Sequence, residues 1–141
     1  CPSGHFTLLY FTLLRRHFYP KATNYTVPHS QDPRCDKDLN WDGWYRLWYS
    51  GMSVQMPETC VNSGCGTETP LWLNGPHPTV DEGEVTQKVC GHYKEDCCYF
   101  DKISLLVKAC PGNYYIYKFA STPACSFAYC AGIYLLKKCF Y

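Results

Sequence analysis

Eleven cysteines punctuate this chain of 141 residues, and two of them, Cys97 and Cys98, are adjacent. A cysteine sulfur has three chemistries open to it: a crosslink, a metal ligand or a nucleophile. The density points to the first, because it approaches that of a disulfide scaffold. Crosslinks on this scale persist in oxidising compartments, which predicts a secreted or cell-surface protein. The count is odd, so at least one thiol lacks an intrachain partner. Neighbouring residues on a strand point to opposite faces, and a bond between Cys97 and Cys98 would be severely strained. The pair therefore reads as a two-sided staple, each sulfur reaching a different partner. A bridge closing about 40 residues, such as one from Cys60 to Cys97, stabilises by about 4 kcal/mol in the chain-entropy model.

The other two chemistries fit less well. Cys60, Cys65, His77, Cys90, His92, Cys97 and Cys98 carry zinc-ligating atoms. They lack the paired spacing of a finger or ribbon, two ligands two to four residues apart in both halves. No metal and no other cofactor is expected. A lone cysteine with a distant histidine could form a nucleophile pair, but ten further cysteines in an oxidising compartment argue against it.

Oxygen chemistry is equally sparse. Asp38-Leu39-Asn40-Trp41-Asp42-Gly43 matches the first half of a calcium loop, yet its twelfth position, which needs a bidentate acid, is Tyr49. It reads as a turn whose Asp and Asn side chains bond the backbone. Asp81, Glu82 and Glu84 surround Gly83. Paired carboxylates serve glycoside hydrolysis, but in a polar turn between Pro78 and a strand they read as a solvated loop. The histidines at 5, 17, 29, 77 and 92 form no HExxH, and neither GxSxG nor a Gly-rich phosphate loop occurs. No catalytic residue is assigned, and the chain reads as a non-enzyme. Asn24-Tyr25-Thr26 is the one N-glycosylation sequon, since Asn62-Ser63-Gly64 fails at its third position. Asn24 is thus expected at the surface, carrying a glycan. Trp41, Trp44, Trp48 and Trp72 could stack on sugars, but in a crosslinked sheet with few other bulky groups they read as core.

The elements that must position these residues are strands. Trp44–Tyr49 is aromatic-rich and reads as one. Gly83–Cys90 roughly alternates and reads as another. Ile103–Ala109 and Tyr114–Phe119 form the best hairpin: Pro111 presets one turn dihedral and Gly112 can take the positive one that follows. No helical stripe lasts beyond a turn or two. The fold class is mainly β, a small disulfide-rich extracellular module of antiparallel strands with at most short helices. Residues 1–23, with FTLL twice, read as an atypical N-terminal arm, 24–130 as the module, and 131–141 as an atypical tail. The opening Cys1 without Met reads as a fragment or processed product. A net charge of +1 gives no electrostatic drive toward nucleic acid or a membrane surface. No stretch is long enough to span a bilayer.

From Cys35 onward the chain resembles the cysteine-rich domain of uromodulin and its pancreatic zymogen-granule relative. The matching elements are CDKDLNWDGWYRL from Cys35, MPETCV from Met56 and CGTETPLWLNGPHPTVDEGEV from Cys65. CGHYKEDCCYF from Cys90, VKACPGNYYIYKF from Val107 and CSFAYC from Cys125 complete the set. The resemblance implies a compact β-rich module without enzymatic activity. It also implies the pairing Cys35–Cys125, Cys60–Cys97, Cys65–Cys130 and Cys90–Cys98. A fifth family bridge joins Cys110 to a cysteine near the module's start, for which Cys1 is the one upstream candidate; Cys139 is then the odd thiol and a route to a covalent dimer.

Two features depart from the family. Residues 1–23 lack its Leu-Asp and Trp-Arg opening. In the relatives a mannose-rich glycan just before the penultimate cysteine decoys bacterial adhesins, but Lys118-Phe119-Ala120-Ser121-Thr122 contains no Asn. The resemblance thus implies a secreted interaction module of a uromodulin-like glycoprotein in innate defence. Its partners would be extracellular proteins or microbial adhesins, reached through a glycan at Asn24. The alternative is a structural spacer in a larger extracellular or filament-forming protein.

Overall fold

The computed structural model describes residues 1, 7–10, 36–38, 40–49, 51–62, 65 and 67–132. Eight strands share one sheet: β1 (Thr7–Tyr10), β2 (Tyr45–Tyr49), β3 (Met52–Ser53), β4 (Thr69–Leu73), β5 (Glu84–Tyr93), β6 (Asp96–Cys110), β7 (Tyr114–Lys118) and β8 (Phe127–Tyr129). Their order is β1-β2-β7-β6-β5-β4-β8, with β3 also paired to β2. The helical content of the described residues is two short 3-10 segments, Asp36–Asp38 and Val80–Glu82.

The four strands read from the sequence are present. β2 covers WYRLWY from its second residue. β5 begins at Glu84 and runs past Cys90 to Tyr93. β6 and β7 pair antiparallel from Leu106↔Lys118 to Cys110↔Tyr114. The turn between them has Gly112 at φ +97° as anticipated, and Asn113 follows at +60°. Asn tolerates that left-handed region because its short polar side chain bonds locally.

Two pairings break the antiparallel expectation. β1 runs parallel to β2, and β4 parallel to β8. A parallel pair needs a long crossover instead of a tight turn, and β8 returns to β4 only after β5, β6 and β7 have been laid down. Backbone bonds fix it there, from Thr69 N–H to the Ser126 carbonyl (2.9 Å) and from Cys130 N–H to the Leu71 carbonyl (3.1 Å).

The alternating apolar residues of β4–β7 face one core. Leu47, Met56, Leu71, Leu73, Val89, Val107 and Tyr117 are fully buried in it. Trp41 packs against this core, its ring 4.9 Å from Phe119 and 5.2 Å from Tyr45. A second cluster of Val61, Cys65 and Cys130, with Trp72 beside it, sits under the 3-residue β8.

Candidate functional site

The sulfur framework ties β5 and β6 to each other and to neighbouring segments. Among described residues the disulfides are Cys1–Cys110, Cys60–Cys97, Cys65–Cys130 and Cys90–Cys98. Their Cα separations run from 4.7 to 6.0 Å. Cys125 is also disulfide-bonded. Cys35, Asn24 and Cys139 lie outside the described residues.

The double cysteine owes its reach to a bulge. Val89 pairs with Ile103 and Gly91 with Phe100, whereas Tyr93 pairs with Asp96, so β6 carries surplus residues over this stretch. A bulge bends its strand and re-aims side chains. Cys98 turns to Cys90 across the hairpin, while Cys97 turns to Cys60 on the incoming loop. Trp72 Nε1–H donates to the Cys97 carbonyl at 2.8 Å and fixes that backbone. Gly91 is required opposite the bulge, because a Cβ there would lie 2.9 Å from Thr69 Cγ2 and 3.2 Å from Phe100 Cβ.

A second constellation has no sulfur. Tyr117, near the end of β7, receives the Met56 N–H on its hydroxyl at 3.1 Å. The same hydroxyl lies 2.7 Å from His77 Nε2. His77 Nδ1 meets the Glu58 carboxylate, which also accepts the His77 backbone N–H at 2.9 Å. A carboxylate can only accept, so Nδ1 carries the ring proton, Nε2 accepts, and Tyr117 donates. Tyr115 covers the imidazole with ring centroids 4.1 Å apart.

Burial lowers the His77 pKa below the ordinary imidazole value, and the Glu58 bond only partly offsets it. Burial raises the Glu58 carboxyl, but the side-chain and backbone bonds from His77 overcome this and hold it below the ordinary value. Carboxylate, imidazole and hydroxyl in series is the order of a catalytic relay. Here the hydroxyl belongs to Tyr117, which is fully buried, so the arrangement acts as a polar clamp. Sequence reasoning noticed His77 only as a zinc donor and passed over Glu58 and Tyr117. The three lie 19 and 40 residues apart in pairs with His77, and no local pattern joins them.

The remaining candidates are turns and surface. Asn40 Nδ2–H donates to Asp42 Oδ2 at 3.2 Å, and the Asn40 carbonyl accepts the Tyr45 hydroxyl. Glu82 caps its own 3-10 turn by accepting the Thr79 N–H at 2.6 Å, Glu84 pairs with Lys108 at 3.7 Å, and Asp81 is exposed. All four tryptophans are half-buried, and Trp41 and Trp72 pack against the two core clusters. The stretch Lys118–Thr122 turns Phe119 and Thr122 inward. Among the described residues the most open large aromatic is Tyr99, 66% exposed and packed beside Tyr93 at the β5–β6 tip. No helix among the described residues is long and apolar enough to cross a membrane.

Comparison with known proteins agrees with this framework. The family model for the uromodulin-like domain matches residues 45–131. The chain is 50% identical over 97 residues to pancreatic secretory granule membrane major glycoprotein GP2 of Canis lupus familiaris, covering 68% of this chain and 18% of that protein. It is 45% identical over 97 residues to the Homo sapiens protein, covering 68% and 17%. Uromodulin of Mus musculus is 43% identical over 113 residues, covering 79% and 16%. The chain thus spans less than a fifth of the length of these three relatives. The crosslinks and these relatives place it outside the reducing cytosol, as a secreted or extracellular protein. With 87 consecutive positions from Tyr45 to Ala131 matched, the chain belongs to the uromodulin-like domain family.

Proposed function

We propose that the chain is a secreted, non-enzymatic interaction module of a uromodulin-like glycoprotein. It presents a rigid surface and an N-glycan at Asn24 to extracellular partners, among them microbial adhesins, and so serves innate defence. The observation that carries this reading is family membership together with a crosslinked sheet that holds its surface. One relative, the pancreatic secretory granule membrane major glycoprotein GP2, is a glycoprotein, which supports a glycan here. The family's usual glycan position has no Asn here, so Asn24 takes that role. The exposed Tyr99 on a stapled hairpin adds a rigid aromatic contact of the kind that anchors protein interfaces.

Cys35–Cys125 completes the framework in this reading, and Cys139 supplies an intermolecular disulfide. Module boundaries at 24 and 130 belong to this reading, with residues 1–23 an arm tied to the module through β1 and Cys1–Cys110. The test is secretion of the chain from a glycosylating host, glycopeptide mass spectrometry at Asn24, and capture of bacteria carrying mannose-specific fimbriae. Saturable capture that is lost on deglycosylation and in Asn24→Gln supports the proposal. An unoccupied Asn24, or no capture by the glycosylated chain, overturns adhesin presentation and favours a structural spacer. A reducible dimer that survives in Cys139→Ser overturns the role of Cys139.

A further inference from the structure

The double-cysteine bulge brings His92 beside the Cys60–Cys97 bridge. His92 is 8% exposed. A ring nitrogen of His92 and the sulfurs of Cys60 and Cys97 all lie within 4.8 Å of one another. In the oxidised chain the two sulfurs are bonded to each other and offer no thiolate. We propose that Cys60, Cys97 and His92 form a redox-gated zinc site: a crosslink when oxidised, and a three-ligand site for Zn²⁺ when this bridge is reduced.

Three observations carry the inference. First, Cys60–Cys97 is the one described disulfide with neither partner buried; Cys110, Cys65, Cys130 and Cys90 are buried members of the other three. Thiol–disulfide exchange requires access to a sulfur, and Cys97 is exposed. Second, opening this bridge leaves its ends anchored. Cys90–Cys98 still staples the hairpin beside Cys97, Trp72 holds the Cys97 carbonyl, and buried Val61 follows Cys60. The ligands therefore stay close after the covalent bond is gone. Third, two thiolates and a neutral imidazole are the ligand chemistry of zinc sites with three protein ligands.

The step needs a dithiol reductant. Its thiolate attacks Cys97 Sγ, the Cys60–Cys97 bond breaks, and Cys60 leaves as a thiolate. The second reductant thiol then attacks the mixed disulfide and releases Cys97. The reductant ends as a disulfide and the chain gains two thiols. Zinc then replaces the two thiol protons, which pass to water.

The test uses the whole folded chain. Limited anaerobic reduction with dithiothreitol, alkylation and peptide mapping identify the first bridge to open. A second sample is freed of reductant and titrated with Co²⁺. The proposal expects Cys60 and Cys97 to be trapped first. It expects one Co²⁺ per reduced chain with thiolate charge-transfer and tetrahedral visible bands, absent from the oxidised chain and abolished by added Zn²⁺. His92→Gln, reduced to the same extent, loses the tetrahedral band, and Cys60→Ser/Cys97→Ser loses both. In the wild-type chain, Zn²⁺ shifts the His92 ring resonances in NMR spectra, a readout that needs no variant. Earlier opening of another bridge, absence of cobalt bands, or unmoved His92 resonances each overturns the site.

Discussion

At the scale of single residues, the polar clamp on β7 is the most exacting feature of the molecule. The Tyr117 hydroxyl serves two groups, accepting from Met56 N–H and donating to His77 Nε2. Tyr117→Phe leaves both without their partner in the core, and an unsatisfied buried polar group costs about 1–3 kcal/mol. Denaturant unfolding should show that loss with an unchanged slope. The same clamp makes stability pH-dependent. The pKa of His77 and of Glu58 are both lowered on folding, so the unfolded chain takes up each proton first. The His77 contribution is complete above 6.5, its unfolded value, and is lost as the pH falls below it. Glu58 follows below 4.5. Stability should therefore decline on acidification from neutral pH, and His77→Gln should flatten the upper part of that decline. A wild-type stability that stays level between neutrality and the lower window would refute the assignment.

At the scale of elements, the bulged β5–β6 hairpin organises the crosslinks. Gly91 of β5 sits against Thr69 and Leu71 of β4 and Phe100 of β6. Gly91→Ala forces Thr69, Leu71 and Phe100 apart, and overpacking of this kind costs about 1–3 kcal/mol. A thermal melt with unchanged far-UV signal would register it as a lowered midpoint. The return of β8 alongside β4 depends on Cys65–Cys130, which closes a separation of 65 residues over the Val61 cluster. Replacing both cysteines by Ser removes about 4 kcal/mol in the chain-entropy model. Hydrogen exchange should locate the loosening at residues 69–71 and 127–129, where the parallel pair lies; loosening confined to β6–β7 would contradict this role.

At the scale of the whole molecule, crosslinks tie distant parts of one sheet, and Cys1–Cys110 spans a separation of 109 residues. Full reduction should lower the thermal midpoint steeply, and calorimetry with and without a strong reductant measures it; an unchanged midpoint would mean that the core alone sustains the fold. The sequence by itself determined the extracellular setting, because cysteine density depends on composition alone. It determined β2, β5 and the β6–β7 hairpin, because strand propensity and the Pro111-Gly112 turn act within a few residues. The divergent reach of Cys97 and Cys98 was also readable, since strand alternation is local. What only the tertiary structure decided is everything that depends on register between remote segments. The parallel return of β8, the Glu58–His77–Tyr117 clamp and the approach of Cys60 to His92 and Cys97 join residues far apart in sequence, and the bulge that aims the two sulfurs depends on how β5 and β6 register. No local preference encodes such meetings; they arise when the sheet is assembled and its buried groups must find partners.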